Sequence, residues 1–495
     1  MSPAETTPAE TTPAGTTPES VAAAPDHGAA AGAAAPTAGL GHVHFLGLAG
    51  VGVSAVARLM AADGVPISGT DAKDLPVLEE FRRAGAAVTV GYRAENLASA
   101  EAELGEPITA VIASSIAAEG NPEYDEAVRR GIPVLHRSQG LAAMMRDRRA
   151  VAVAGTHGKT TTSSMATVLL DQTGLSPTFA VGANVAGLGV NAAAGTGEWF
   201  IAEADESDGS LLNYAPEVGV VTNVEADHLD HYGTAEAVEQ VFVDFTARIS
   251  DGGALIICVD DAGARALLEK VREPLSARGV RIIGYGTRED AQLRLSEVTR
   301  EGGIITEGAE QASLRLAVPG VHNQLNALAA IAVGRCAGLS LQASVEAIAH
   351  FQGTSRRFEL RGEVSGVRVY DDYAHHPTEV SAVLQAARAS LTEDQGQVHV
   401  IFQPHLFSRT AAFAEDFGAA LTAADTVAVL EIYPAREEPI EGVTAALLGQ
   451  PVYSAAEAVQ TVAAAARAGD LIMTLGAGDV TALGAEILAV LTEGR

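Results

Sequence analysis

The chain has 495 residues, enough for about three domains of ordinary size. Its 62 acidic residues against 32 Lys and Arg give a formal charge of −30. That balance argues against nucleic-acid binding and requires any anionic substrate to be met by locally arranged cations, backbone N–H groups or metal. Two distant cysteines, Cys258 and Cys336, argue against a disulfide framework or a Cys-based zinc site. With no signal-peptide pattern and no apolar run of about 18 residues, the expectation is a cytoplasmic enzyme without membrane insertion.

Residues 1–40 read as a solvated tail. A Thr-Thr-Pro repeat opens it and an Ala/Gly/Pro stretch follows, with too few large apolar side chains to offset ordering entropy. From His42 onward, short β-rich runs alternate with helical stretches. His42–Leu48 is strand-like, and after a glycine-rich turn a helix is expected from Val51 to Asp63. Further strands are expected at Ala110–Ala113, Ala150–Ala154, Val218–Thr222, Ala254–Val259, Val398–Phe402, Thr426–Leu430 and Leu471–Thr474. This alternation predicts an α/β protein with mainly parallel sheets. Three blocks emerge: 41–148, 149–355 and 356–495, the last restarting the alternation after the segment Phe351 to Arg357.

The first block carries Gly47-Leu-Ala-Gly-Val-Gly52, followed by Asp71. This approximates a dinucleotide fingerprint, with Ala49 at the second glycine position; a dinucleotide, a UDP diphosphate or a plain βα turn all fit. The second block opens on the strongest signal, Val151 through Thr162. Gly155 and Gly158 let backbone approach a phosphate, Lys159 can reach the β/γ-phosphates, and the Thr160 hydroxyl can bind Mg²⁺. The chain has only two other lysines, Lys73 and Lys270, so an incidental lysine here is improbable. Four carboxylates follow between Glu203 and Asp208, a repulsive cluster that a divalent cation would relieve. Thr222 to His231 is a polar cluster just past a strand, where His228 could ligate a second metal or contact a phosphoryl group. In the third block, Tyr370 to Glu379, Gln403 to Thr410 and Gly476 to Asp479 each follow a strand, so the three loops should share one sheet edge and form a site.

Together these residues resemble the Mur ligases of bacterial cell-wall synthesis, from about residue 42 to the C-terminus. The resemblance rests on Gly155-Thr-His-Gly-Lys-Thr-Thr161, Glu203-Ala-Asp-Glu-Ser-Asp208 and His322-Asn-Gln-Leu-Asn-Ala327. Asp371-Asp-Tyr-Ala-His-His-Pro-Thr-Glu379, Gln403-Pro-His405 and Tyr433-Pro-Ala-Arg-Glu437 look like the alanine-adding branch, with murein-tripeptide ligases the nearest alternative. The resemblance implies a Rossmann-like UDP-sugar domain, a P-loop-type ATPase domain and a Rossmann-like amino-acid domain. It implies ATP-dependent joining of L-alanine to the carboxylate of UDP-N-acetylmuramate.

Site roles follow from the same resemblance. Gly155, Thr156, His157, Gly158, Lys159, Thr160 and Thr161 would hold ATP, with Asn323 and Asn326 near the adenine and Asp372 facing the nucleotide. Thr160, Glu203 and His228 would hold Mg²⁺. Gly47, Gly50, Gly52, Ser114 and Ser115 would line the UDP-sugar site, with Tyr373 and Arg409 also on substrate. His376, then His375, is the candidate general base. Two departures stand out: Ala49 replaces a usual glycine, and Leu406 replaces a frequent arginine, leaving Arg409 as the nearby anion contact. No lysine lies between His228 and Lys270, so no metal-bridging lysine carbamate is expected. The second and third blocks must close on each other for the Lys159 loop to meet His375 and His376. The expected state is a monomer or weak dimer. An NAD-dependent oxidoreductase would leave the Lys159 loop unused, and a nucleotide-binding scaffold would leave the third-block loops unused.

Overall fold

The computed structural model describes residues 40–114, 120–391, 396–435 and 437–493; the tail up to residue 39, Ser115 and Arg436 lie outside them. Three sheets match the α/β expectation, each with helices against it. The first contains β1 (His42–Leu46), β2 (Ile67–Asp71), β3 (Ala87–Val90), β4 (Ile108–Ala113) and β5 (Val134–His136). It is all parallel, in the order β3-β2-β1-β4-β5. All five residues of β1 are buried, as a central strand covered on both faces requires. The order reverses between β1 and β4, so the glycine turn after β1 and Ser114 after β4 flank the crevice where such sheets bind ligands.

The second sheet contains β6 (Arg149–Ala154), β7 (Thr178–Ala180), β8 (Ala192–Ala193), β9 (Trp199–Glu203), β10 (Val218–Val221), β11 (Ala254–Cys258), β12 (Arg281–Gly286), β13 (Leu293–Ser296), β14 (Gly302–Glu307) and β15 (Glu310–Arg315). β6 sits between β10 and β9, all parallel, so the loops that leave these three strands emerge side by side. The helix Lys159–Gln172 leaves the phosphate loop and is buried from Thr160 to Leu170. It packs against the sheet and alongside the helix Val321–Cys336, whose alanines 327, 329, 330 and 332 allow close approach. This clamp fixes the helix N-terminus, and with it the loop. The far edge departs from the parallel expectation: β13, β14 and β15 form an antiparallel meander, because connections of a few residues cannot carry the chain back for a parallel strand.

The third sheet contains β16 (Glu359–Val364), β17 (Val367–Asp372), β18 (Val398–Phe402), β19 (Thr426–Val429) and β20 (Leu471–Leu475), in the order β16-β17-β20-β18-β19. Only β16 is antiparallel, at the edge. The three polar loops expected to share an edge leave β17, β20 and β18, which are adjacent and parallel. No described helix is long and apolar enough to cross a membrane.

Candidate active site

At the end of β6 the backbone turns at Gly155 with φ +135°. A Cβ there would stand 1.9 Å from the Thr222 hydroxyl. That hydroxyl donates to the His157 carbonyl at 2.5 Å, while Asn223 Oδ1 accepts the His157 N–H at 2.7 Å. Thr222 and Asn223 thus hold the loop from the neighbouring strand, while the Thr222 N–H still donates to the Ala154 carbonyl at 3.1 Å. Gly155→Ala is therefore expected to cost about 2–3 kcal/mol through overpacking and a disallowed φ, lowering the melting temperature and nucleotide affinity together. Thermal melts with and without ATP check this.

Lys159 curls back over the loop. Its ammonium donates to the Gly155 and Thr156 carbonyls at 2.8 and 3.0 Å and to Glu206 Oε1 at 2.8 Å. Burial opposes its charge, but Glu206 and Asp205 outweigh burial and raise its pKa. The Thr160 hydroxyl donates to Glu203 Oε1 at 3.1 Å, and the Gly182 N–H to Glu203 Oε2 at 2.6 Å. A Cβ on Gly182 would lie 2.5 Å from that carboxylate and 2.8 Å from the Thr160 hydroxyl. Burial, with Asp205 adding to it against the pull of Lys159, raises the pKa of Glu203. A hydroxyl and a half-buried carboxylate, with no side chain on Gly182 to crowd them, fit Mg²⁺, which takes few protein oxygens beside phosphate and water. His228, in the left-handed region at φ +56°, reaches Glu206 and Asp227 at 3.6 and 3.7 Å. Thr160 and Glu203 therefore stand together, while His228 joins them through the Glu206 that also holds Lys159.

The third block closes over this cluster. His157 Nδ1 lies 3.4 Å from Glu379 Oε1, and its ring centroid 4.7 Å from that of His376. Thr378 donates to Glu225 Oε2 at 2.8 Å. Burial disfavours charge on His157, yet Glu225 and Glu379 together push its pKa up to about 9. Burial, reinforced by the His157 charge, pushes His376 down to about 4. Neither ring nitrogen of His376 has a hydrogen-bond partner, whereas His375 Nδ1 sits 3.0 Å from the Tyr373 carbonyl and 3.2 Å from Glu379. The Tyr373 ring lies beneath the guanidiniums of Arg356 and Arg357, at 4.8 and 5.2 Å.

Asp372 accepts from the Phe358 and Ala374 N–H groups, and burial, only partly offset by Arg357, lifts its pKa to about 6. It lines a cavity between the two blocks with Thr161, His322, Asn323, Asn326 and Arg357. Arg409, expected on substrate, is buried and pairs with Asp227 at 3.0 Å. Leu406 takes φ +74°, ψ 136°, a strained setting for a branched side chain at this junction.

On the first block, Asp71 Oδ2 accepts the Ala49 N–H at 2.9 Å, so it ties down the Gly47–Gly52 turn. Arg137 lies against Gly52 and 3.5 Å from Asp205, linking this turn to the acidic cluster. Sequence reasoning missed Arg137, Glu206, Glu225, Asp227, Arg356, Arg357 and Glu379 as site residues. Signals existed for six: Glu206, Glu225, Asp227 and Glu379 stand in polar segments already singled out, and Arg356 and Arg357 in the segment read only as a block boundary.

The family models match this arrangement along the chain: "Mur ligase family, catalytic domain" over residues 42–149, "Mur ligase middle domain" over 153–334, and "Mur ligase, glutamate ligase domain" over 356–478. A protein of Arthrobacter sp. (strain FB24) named UDP-N-acetylmuramate–L-alanine ligase is 56% identical over 459 residues, 91% of this chain and 95% of the relative. One of the same name from Paenarthrobacter aurescens (strain TC1) is 54% identical, covering 91% and 97%. Among solved structures, the UDP-N-acetylmuramate-alanine ligase of Thermotoga maritima aligns with a TM-score of 0.72 at 25% identity, covering 92% of this chain and all of the other. A murein peptide ligase from Psychrobacter arcticus shares the fold at a TM-score of 0.65 and 23% identity, covering 91% and 98%. By these matches over most of its length, the chain belongs to the Mur ligase family.

Proposed function

We propose that this enzyme joins L-alanine to the carboxylate of UDP-N-acetylmuramate at the expense of ATP, in the cytoplasm, as a step of peptidoglycan precursor synthesis. The observation that carries the reading is the meeting of the Lys159 loop with the His375–His376 loop at one cleft, in a chain 56% identical to a relative of that name. Free carboxylates do not condense with amines; ATP supplies the leaving group. A carboxylate oxygen attacks the γ-phosphorus, the bond to the β-phosphate oxygen breaks, and an acyl phosphate and ADP result. The alanine nitrogen then attacks the acyl carbon, the carbon–oxygen bond to phosphate breaks, and the nitrogen gives up a proton.

Positioning and charge neutralisation dominate phosphoryl transfer. Lys159 and the loop N–H groups supply both within a strongly acidic protein. Thr160 and Glu203 would hold Mg²⁺, which when bound neutralises phosphate charge. Asn323, Asn326 and Asp372 line the cavity suited to the nucleoside. The sugar nucleotide would lie at the β1–β4 crevice against Gly47, Gly50, Gly52 and Ser114, reaching the cleft past Arg137. His376 is the better base for the amine, because its nitrogens are unbonded while His375 is tied to the Tyr373 carbonyl and Glu379. Closure of the third block also keeps water from the acyl phosphate.

His376→Gln is expected to lower kcat by about 10²–10⁴-fold, with His375→Gln costing far less. Phosphate release is the test, with product mass as the second readout. Release requiring both UDP-N-acetylmuramate and L-alanine, with a product heavier by one alanyl residue, supports the reading. Product with murein tripeptide but not with alanine overturns it in favour of the recycling branch.

A further inference from the structure

A second group of ligating atoms sits at the block interface, apart from the Thr160–Glu203 pair. We propose that His157, Glu225 and His376 form a transition-metal site, suited to Zn²⁺, that bridges the second and third domains in the closed arrangement. His157 and Glu225 belong to loops of the second sheet; His376 caps the helix Pro377–Ser390 of the third. The three ligand atoms all lie within 4.8 Å of one another. His157 Nε2 is 3.6 Å and His376 Nδ1 3.8 Å from the same carboxylate oxygen, Glu225 Oε2. Those separations are too long for hydrogen bonds. They are close to the edge of a tetrahedral zinc site, about 3.3–3.4 Å for ligand distances of about 2.0–2.1 Å. Two edges need to shorten by only a few tenths of an ångström, the third by more.

The arrangement leaves buried polar atoms without a protein partner. His157 and His376 are only 9% and 4% exposed, and both facing nitrogens lack a hydrogen-bond partner. Buried nitrogens of this kind are costly unless something occupies them. The surroundings are those of a supported metal site. Glu379 stands 3.4 Å from the other nitrogen of His157, the position of the carboxylate that orients a ligating imidazole. Thr378 fixes the Glu225 carboxylate by its 2.8 Å hydrogen bond. Two imidazoles and one carboxylate with an open fourth position favour Zn²⁺ or Co²⁺ over Mg²⁺, which prefers oxygen donors. The two metals therefore separate by chemistry: oxygen donors at Thr160 and Glu203, imidazoles across the domain boundary. A bound ion would pin His376, withdraw it as the base and hold the cleft shut, so the ion-bound form would be an inhibited one.

The experiment is a Co²⁺ titration of the full-length, metal-free protein in saturating Mg²⁺, read by visible d–d absorption, with Zn²⁺ as competitor. Saturable bands of a four- or five-coordinate ion, displaced by Zn²⁺, are expected. Glu225→Gln and His376→Gln, one from each domain, should each weaken binding by about 100-fold or more, whereas His228→Gln should leave it within a factor of about three. Thr378→Ala, a milder change at the same carboxylate, should weaken it by about tenfold and serves if His376→Gln fails to fold by circular dichroism. Absence of the bands, equal affinity in Glu225→Gln and Thr378→Ala, or loss confined to His228→Gln would each overturn the proposal.

Discussion

Lys159→Met is expected to lower kcat by about 10³-fold or more, roughly 4 kcal/mol of transition-state stabilisation. The loop presents backbone N–H groups to a phosphate, but Lys159 is the full positive charge within it, in a protein with net charge −30. Its resting contacts define the rest of the effect. Three acceptors hold the ammonium, two of them carbonyls of its own loop. Met leaves those carbonyls unpaired and Glu206, itself buried, without its cation. Breaking a buried pair from one side costs about 3–5 kcal/mol, so the melting temperature should fall as well. Lys159→Arg keeps the charge, but its planar fork does not fit a pocket shaped around a point donor. Glu206→Gln should be milder in turnover than either, because it loosens the resting cage without removing the cation. Phosphate release and thermal melts on the three variants check the order. Turnover of Lys159→Met within tenfold of wild type would remove the lysine from the chemistry.

The parts of the site that sequence made legible are those encoded locally. Gly155, Gly158 and Lys159 lie within five positions, and their spacing alone implies a strand, a phosphate-sized turn and a helix. The three polar loops of the third block were placed on one edge by the rule that ligands bind at the C-terminal ends of parallel strands, and β17, β20 and β18 are indeed neighbours. What stayed hidden depends on contacts distant along the chain. Glu379 closes a segment read as part of a site, but its own role stays hidden until folding sets it against His157 and Arg357. Asp71 was read with the glycine turn as an approximate dinucleotide fingerprint, yet its carboxylate accepts the Ala49 N–H and holds that turn. The meander β13–β15 lies outside the β/α alternation, and its short alternating segments carry little periodic signal. Arg409 was legible as a cation near an active site, but its partner lies 182 residues away in a separate polar cluster, and nothing local pairs the two.

Breaking that pair should open the enzyme rather than unfold it. Arg409 stands on the helix Phe407–Leu421 of the third domain and Asp227 on the loop before His228 of the second; both are about 5% exposed. Each domain has its own apolar core, so the pair weighs on closure and not on the integrity of either. Arg409→Met leaves a buried carboxylate facing the interface uncompensated, at about 3–5 kcal/mol. Charged to the closing equilibrium, that is a loss of about 10²–10⁴-fold in the closed population, appearing in kcat/KM while the melting temperature moves little. Small-angle scattering should report an expanded molecule.

The double variant Arg409→Met with Asp227→Asn removes the stranded charge and should recover a large share of the loss; a merely additive result would mean that the two residues act separately. The pH dependence carries the same sign. Burial would raise the Asp227 pKa, but Arg409 overcomes it and holds the carboxyl well below the usual carboxylate range. The open state takes up the proton first, so closure is fully supported above the ordinary Asp value near 3.9 and is lost as pH falls below it. In Arg409→Met the largest opposing influence is gone, and burial is then countered only by the His228 N–H and the nearby His228 and His375. The Asp227 pKa should move up toward the ordinary value, so ionisation of Asp227 supports closure less. Lowering the pH should therefore open the variant less than it opens the wild type.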